Sequence, residues 1–363
     1  MAQKRFALAV TVVLAACSHD SARTVTFGAA GPFGQAYGLA NKQGIQLAVD
    51  EINASPAWAS NRRLSIQFAD DSGKGARASA VAQSFVNSPR IVAVVGHVNS
   101  GAMLSAAHVY DQHLAAVATT ATSPALTGIS PWAFRVIPSD SANGQTIARF
   151  VNARGRKRAA VLYENNPYGR GLAENFKRSF GGTIVSIDPI GEDSAQPFEP
   201  FVTWFKKQRP DVVFVAGTDA SGLAFLKEAR RQNLDADLVG GDGWQTVAPS
   251  PLAEGVFVGA PFSAQDPRPE VRAFVTAYSK KFKSIPDGNA ALAYDATKLL
   301  AAAVEKVGPD RAKIRDYLAG MTEATAFHGV AGTIRFRPDG DPIGRTFVMT
   351  RVHNGALEVE SNQ

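Results

Sequence analysis

Short apolar runs recur along this chain, separated by stripes of helical spacing, and this alternation restricts the fold more than any other feature. Ile91-Val92-Ala93-Val94-Val95, Ala159-Ala160-Val161-Leu162-Tyr163 and Val212-Val213-Phe214-Val215 carry almost no polar side chains. Such runs suit strands covered on both faces, as in parallel sheets. Residues 25–28, 64–68, 115–118, 184–187 and 237–239 extend the series. Between them, Ile45, Ala48, Val49 and Ile52 fall at i, i+3, i+4 and i+7, and Leu172, Phe176 and Phe180 form a second helical stripe. Val271, Phe274, Val275, Tyr278 and Phe282 form a third. Strand and helix in regular alternation predict an α/β chain with doubly wound parallel sheets.

The strand signals fall into two sets, one ending near residue 136 and one spanning about 158–260. Helical patterns near 268–283 and 289–306 follow, then a last strand pair near 331–336 and 345–352. Pro138-Ser139-Asp140 and Ala260-Pro261-Phe262 suit crossovers between two lobes. The chain of 363 residues is too long for most single cores. We expect two doubly wound parallel-sheet lobes joined by a multi-strand hinge, with a cleft between them. Lobe 1 would take residues 24–138 plus 262–344, and lobe 2 residues 139–261 plus 345–358.

The only cysteine, Cys17, ends a leader-like segment. Lys4 and Arg5 precede an apolar run over 6–16 that closes on Leu14-Ala15-Ala16-Cys17. The run is shorter than the ~20 residues that span a bilayer, but it suits a signal-peptide core over residues 1–16. Leu-Ala-Ala-Cys resembles the lipobox of bacterial lipoproteins. That resemblance implies cleavage before Cys17, lipidation of Cys17, and a domain held on a membrane outside the cytoplasm. An ordinary leader cut after a small residue would use the same run. The formal charge of +6 includes Lys4 and Arg5. The basic clusters, such as Arg154-Gly155-Arg156-Lys157-Arg158 and Lys280-Lys281-Phe282-Lys283, fall near ends of predicted helices. Solvated helix ends explain them, and no nucleic-acid partner is expected.

No Gly-x-Ser-x-Gly elbow, phosphate loop or Gly-x-Gly-x-x-Gly after the first strand is present. His108 and His113 are five apart and share a helix face poorly, so no metal is expected there. His97 reads as structural. What the sequence does offer is polar loops after strands, where open α/β sheets bind ligands. Run 91–95 empties into Gly96-His97-Val98-Asn99-Ser100, with Ser100 placed to cap a helix. Run 115–118 empties into Thr119-Thr120-Ala121-Thr122-Ser123-Pro124, with Pro124 suited to a first helical turn. Two hydroxyl-bearing helix starts could converge on one carboxylate, although plain capping would use the same residues. Asp242, between Gly241 and Gly243, could approach a ligand closely and pair with an ammonium group, or simply form a turn. Asp219 either faces the cleft, favouring a polar or cationic ligand side chain, or caps the helix after it.

Taken together these residues resemble the type I periplasmic binding proteins of ABC importers, in the leucine/isoleucine/valine-binding branch. The resemblance runs over nearly the whole chain after the leader. Gly28-Ala29-Ala30-Gly31-Pro32, Tyr37-Gly38, Gly44 through Asn53, Ala69-Asp70-Asp71-Ser72, Ala121-Thr122-Ser123-Pro124, Tyr168-Gly169-x-Gly171 and Gly241-Asp242-Gly243 carry it. It implies that Ser100 and Thr122, helped by the backbone at Thr120 and Ala121, hold an α-carboxylate. Asp242 would take the α-ammonium, Tyr37 and Tyr168 would wall the pocket from opposite lobes, and Thr218 would face the ligand side chain. Leucine-type binders tend to carry an aromatic where this chain has Thr218. The implied protein is a monomeric, non-enzymatic, cofactor-free receptor that captures a small zwitterion and delivers it to an inner-membrane permease. Sensors of amides, and envelope lipoproteins that contact cell-wall synthases, share the fold and are the alternatives.

Overall fold

The computed structural model describes residues 24–59, 62–192 and 196–360. Cys17 and the leader lie outside the described residues. Strands β1 (Thr24–Gly31), β2 (Arg63–Asp70), β3 (Ile91–Val95), β4 (Ala116–Ala118) and β5 (Ala133–Arg135) form one sheet in the order β2-β1-β3-β4-β5. Every pairing in it is parallel. Helices α1 (Ala36–Ala54), α2 (Pro56–Ala59), α3 (Gly75–Asn87) and α4 (Ser100–Tyr110) connect these strands.

The chain then enters α5 (Asp140–Ala153) and builds a second sheet. Its parallel strands are β6 (Arg158–Glu164), β7 (Thr183–Ile190), β8 (Val212–Ala216), β9 (Asp237–Gly240) and β10 (Phe257–Ala260). Helices α6 (Pro167–Ser179), α7 (Glu199–Gln208) and α8 (Asp219–Arg231) alternate with them. Helices α9 (Pro269–Phe282), α10 (Gly288–Val307) and α11 (Arg311–Ala319) follow, then a small hairpin of β11 (Phe327–Gly329) and β12 (Gly332–Ile334). The last strands, β13 (Val348–His353) and β14 (Ala356–Val359), give the second sheet the order β14-β13-β10-β9-β8-β6-β7.

Two details depart from the sequence expectation. The last strand pair does not pair with itself: β12 folds back locally on β11, while β13 adds to β10. Both β13 and β14 are antiparallel to their neighbours, so the second sheet is mixed along one edge.

Each sheet is covered on both faces. In β8, Val213 and Val215 join one core with Leu162, Phe225 and Trp244. The alternate residues Val212 and Phe214 join another with Leu172 and Phe176. That is the two-residue alternation of a strand, and both faces being apolar explains the unbroken run. In the first sheet, Phe27 and Ile45 pack with Phe274, Leu292 and Leu299 on one face, and Phe85, Met103 and Tyr110 lie on the other. Thus α9 and α10 return to the first sheet although they follow the second in sequence. A Cβ on Gly44 would fall 2.1 Å from the Ala290 carbonyl oxygen, so glycine lets α1 and α10 touch backbone to backbone.

Candidate functional site

A cleft of about 380 Å³ lies where the carboxyl ends of the two sets of parallel strands face each other. From the first sheet come Tyr37 on α1, Ser72–Gly75 after β2, Asn99 and Ser100 after β3, and Thr120 after β4. From the second come Glu164 and Tyr168 around the end of β6, Glu192 after β7, Thr218 after β8 and Asp242 after β9. The strand-end loops singled out from sequence therefore converge on one space, as the geometry of open α/β sheets requires.

Six of the eight ligand-site candidates line this cleft: Tyr37, Ser100, Thr120, Tyr168, Thr218 and Asp242. Ala121 and Thr122 do not; both are fully buried behind it. Ser100 is not the helix cap: Asn99 holds that position, and Ser100 opens α4. Its Oγ instead accepts the Thr122 and Ser123 backbone N–H groups at 3.1 and 3.0 Å. With its acceptor side engaged, the hydroxyl keeps its proton for a further partner, beside the first N–H groups of α4. Ser123 caps the short helical turn Pro124–Leu126, and the buried Arg135 guanidinium holds the Thr122 and Ser123 carbonyls at 3.0 and 2.9 Å.

On the opposite wall, Asp242 is buried and receives Asn143 Nδ2 at 2.8 Å and the Tyr168 hydroxyl at 3.1 Å, both on Oδ1. The Gly243 N–H donates to the same Tyr168 oxygen at 3.0 Å. The flanking glycines make room for these neighbours: a Cβ on Gly241 would lie 2.5 Å from Leu172, and one on Gly243 2.5 Å from the Gly217 carbonyl oxygen. They serve this internal packing first. No basic residue pairs with Asp242 among the described residues, and burial pushes its carboxyl up to about 7 against the pull of Tyr168 and Asn143.

Three further groups escaped the sequence reading. Glu164 is buried; its Oε1 takes the Thr218 N–H at 2.8 Å and the Thr218 and Ser221 hydroxyls at 2.7 and 2.8 Å. The Thr218 hydroxyl is thus committed to Glu164. Burial raises the Glu164 carboxyl despite these donors. Asp140, at the start of α5, is fully buried beside the Thr122 hydroxyl, yet among the described residues neither carboxylate oxygen nor that hydroxyl has a hydrogen bond of good geometry. Burial, then the nearby Asp242 charge, push Asp140 well above the usual carboxylate range. Finally, Lys74 and Glu192 form an ion pair across the cleft mouth. Asp219 resolves differently: it opens α8, accepts the Thr246 hydroxyl at 2.9 Å and is absent from the cleft wall. Its charge nonetheless acts on the Tyr37 hydroxyl, which lines the cleft.

His97 bonds the Asp71 carboxylate at 2.5 Å through Nδ1 and the Tyr110 hydroxyl at 2.9 Å through Nε2, all three fully buried. His108 and His113 are exposed. Among the described residues no helix is long and apolar enough to cross a membrane.

Comparison with known proteins agrees with this arrangement. The chain is 27% identical over 341 residues to the leucine-, isoleucine-, valine-, threonine- and alanine-binding protein of Pseudomonas aeruginosa, covering 91% of this chain and 89% of that one. An ABC transporter substrate-binding protein from Desulfitobacterium hafniense, solved with leucine, superposes with a TM-score of 0.80 at 31% identity, over 93% of this chain and all of that one. The branched-chain amino acid binding protein of Streptococcus pneumoniae, solved with isoleucine, gives 0.84 at 28% identity, over 93% and 99%. The periplasmic binding protein family model matches residues 25–356, which with the paired α/β sheets makes this chain a member of that family, a binding protein and not an enzyme.

Proposed function

We propose that the protein captures a small amino acid-like zwitterion in the cleft and hands it to an ABC permease. One observation carries the reading. Along one wall the Ser100 hydroxyl and the α4 start offer donors, and on the other Asp242 is a buried carboxylate with no basic partner among the described residues. A carboxylate left like this is costly, and a ligand ammonium would relieve it. A ligand carboxylate would meet the Ser100 proton and the free N–H groups of α4. Tyr37 and Tyr168 supply rings on either side, and hinge bending would admit the solute. The Leu14-Ala15-Ala16-Cys17 run supports a lipid anchor that keeps the receptor on a membrane near the permease.

Thermal-shift and calorimetric titration test this. L-amino acids should raise the melting temperature with concentration, because they bind only the folded state. Asp242→Asn should weaken binding by about 3 kcal/mol, roughly a hundredfold, by leaving the ammonium unpaired. Stabilisation by benzoate or other plain acids, with none by amino acids, would remove Asp242 as an ammonium partner and the reading with it.

A further inference from the structure

Gly171 ends the Tyr168-Gly169-x-Gly171 motif and lies inside α6, where glycine is a poorer helix former than alanine. Its backbone is ordinary helix, so conformation does not call for glycine. Space does. A Cβ there would lie 2.7 Å from Pro124 Cδ, while the next neighbours, Pro124 Cγ and Asp140 Oδ2, would both stand at 3.6 Å. Carbon atoms rest about 3.5–4.0 Å apart, so a single methyl group would leave α6 and Pro124 roughly 1 Å too close. The two sides belong to different sheets: Leu172 and Phe176 root α6 in a core of the second, and Leu126 roots the Pro124 turn in a core of the first. Gly169, by contrast, meets the Glu164 carbonyl oxygen of its own sheet, at 2.3 Å from a built Cβ.

Pro124 is a stiff ring on a pinned turn. Ser123 caps that turn, Ser100 Oγ accepts the Thr122 and Ser123 N–H groups, and Arg135 holds the two carbonyls. A second contact runs the opposite way: Pro167, which starts α6, packs on Gly101 of α4, whose Cβ would lie 3.6 Å from Pro167 Cδ. We propose, on the hinge bending given above but whatever the solute, that Gly171 is the seat on which Pro124 lands when the lobes close, and that its missing side chain sets how far the cleft can shut. The seat lies beside Asp140, where the chain passes from the first sheet into α5. A small separation at such a pivot widens toward the mouth, where Lys74 meets Glu192.

Carbodiimide cross-linking of the full chain tests this without knowledge of the solute. The reagent joins a carboxylate to an amine already in contact, and Lys74 and Glu192 are in contact when the mouth is shut. The unmodified protein should yield the Lys74–Glu192 cross-link, read by peptide mass spectrometry. Gly171→Ala adds only the one methyl group and should lower the yield at least about fivefold, the effect of a small overpacking penalty. Its melting temperature should be unchanged or raised. Adding Pro124→Ala, which removes Cδ, should restore the yield. An equal yield in Gly171→Ala, or a loss that Pro124→Ala does not restore, would overturn the seat. So would a Gly171→Ala protein that melts well below the unmodified one, which would place the contact in the fold rather than in closure. Absence of the cross-link from the unmodified protein, both alone and with millimolar L-amino acids, would also overturn it. Failure of every amino acid to raise the melting temperature would remove the zwitterion reading and leave the cross-linking result standing.

Discussion

If a ligand ammonium pairs with Asp242 as proposed, that carboxyl is held ready for it by its neighbours. Asn143 and Tyr168 fix its position, and burial raises its carboxyl to about 7. A carboxyl raised in the folded state holds its proton there while the unfolded chain has lost it. Its contribution to folding is therefore greatest at low pH and declines as pH rises from about 4 to about 7. Ligand binding has the opposite sign, since an ammonium needs the carboxylate. Below about pH 7, zwitterion affinity should fall by up to about tenfold per pH unit, with about one proton released on binding. Titrations in two buffers of different ionisation enthalpy would count that proton, and an affinity that is flat from pH 5.5 to 8 would contradict the assignment. At this scale the sequence showed which loops matter better than which atoms do. Tyr37, Ser100 and Asp242 could be placed at the cleft because loops after parallel strands collect there. Asp140 could not be, because its burial depends on packing from a separate helix: a Cβ on Gly171 of α6 would lie 3.6 Å from its Oδ2.

Between elements, the Asp71–His97–Tyr110 chain ties the loops after β2 and β3 to the far end of α4. Asp71 also accepts the Gly73 N–H at 2.8 Å, so one carboxylate shapes the loop that carries Gly73 and Lys74 to the cleft. His97→Ala would leave two buried polar groups without their partner. It should lower stability by about 3 kcal/mol, read as a shift in the urea midpoint at unchanged slope. A loss below about 1 kcal/mol would show that water or rearranged side chains replace the imidazole. The reading of His97 as structural needed only its place after an apolar strand. The capping role expected of Ser100 failed by a single position: the chain enters α4 at Asn99, and Ser100 turns to the β4 loop instead. Sequence marks a helix start to within a residue or two, whereas the partner of a hydroxyl there depends on the neighbouring strand.

Across the whole molecule, alternating apolar runs were enough to indicate two layered α/β sheets. The mixed edge of the second sheet was not legible, because β13 reaches β10 only after α9–α11 and the hairpin have packed against the first sheet. This chain path leaves the two rows of strand-end loops facing each other, and Lys74 and Glu192 meet across the mouth between them. Asn166 Nδ2 also reaches Glu192, at 3.1 Å. The pair is exposed, at 62% for Lys74 and 43% for Glu192, so solvent and salt screen it. Such a pair contributes about 0–1 kcal/mol. It is too weak to hold the cleft shut alone, but strong enough to bias how long a bound solute stays. Lys74→Gln should therefore speed solute release by up to about fivefold in low salt. It should do so with little effect on association, which in mutants of one site usually changes less than dissociation. The difference from the unmodified protein should vanish near 1 M salt, where screening acts within about 3 Å. Stopped-flow release measured at both ionic strengths would show this, and an effect that persists in high salt would mean that Lys74 touches the solute itself.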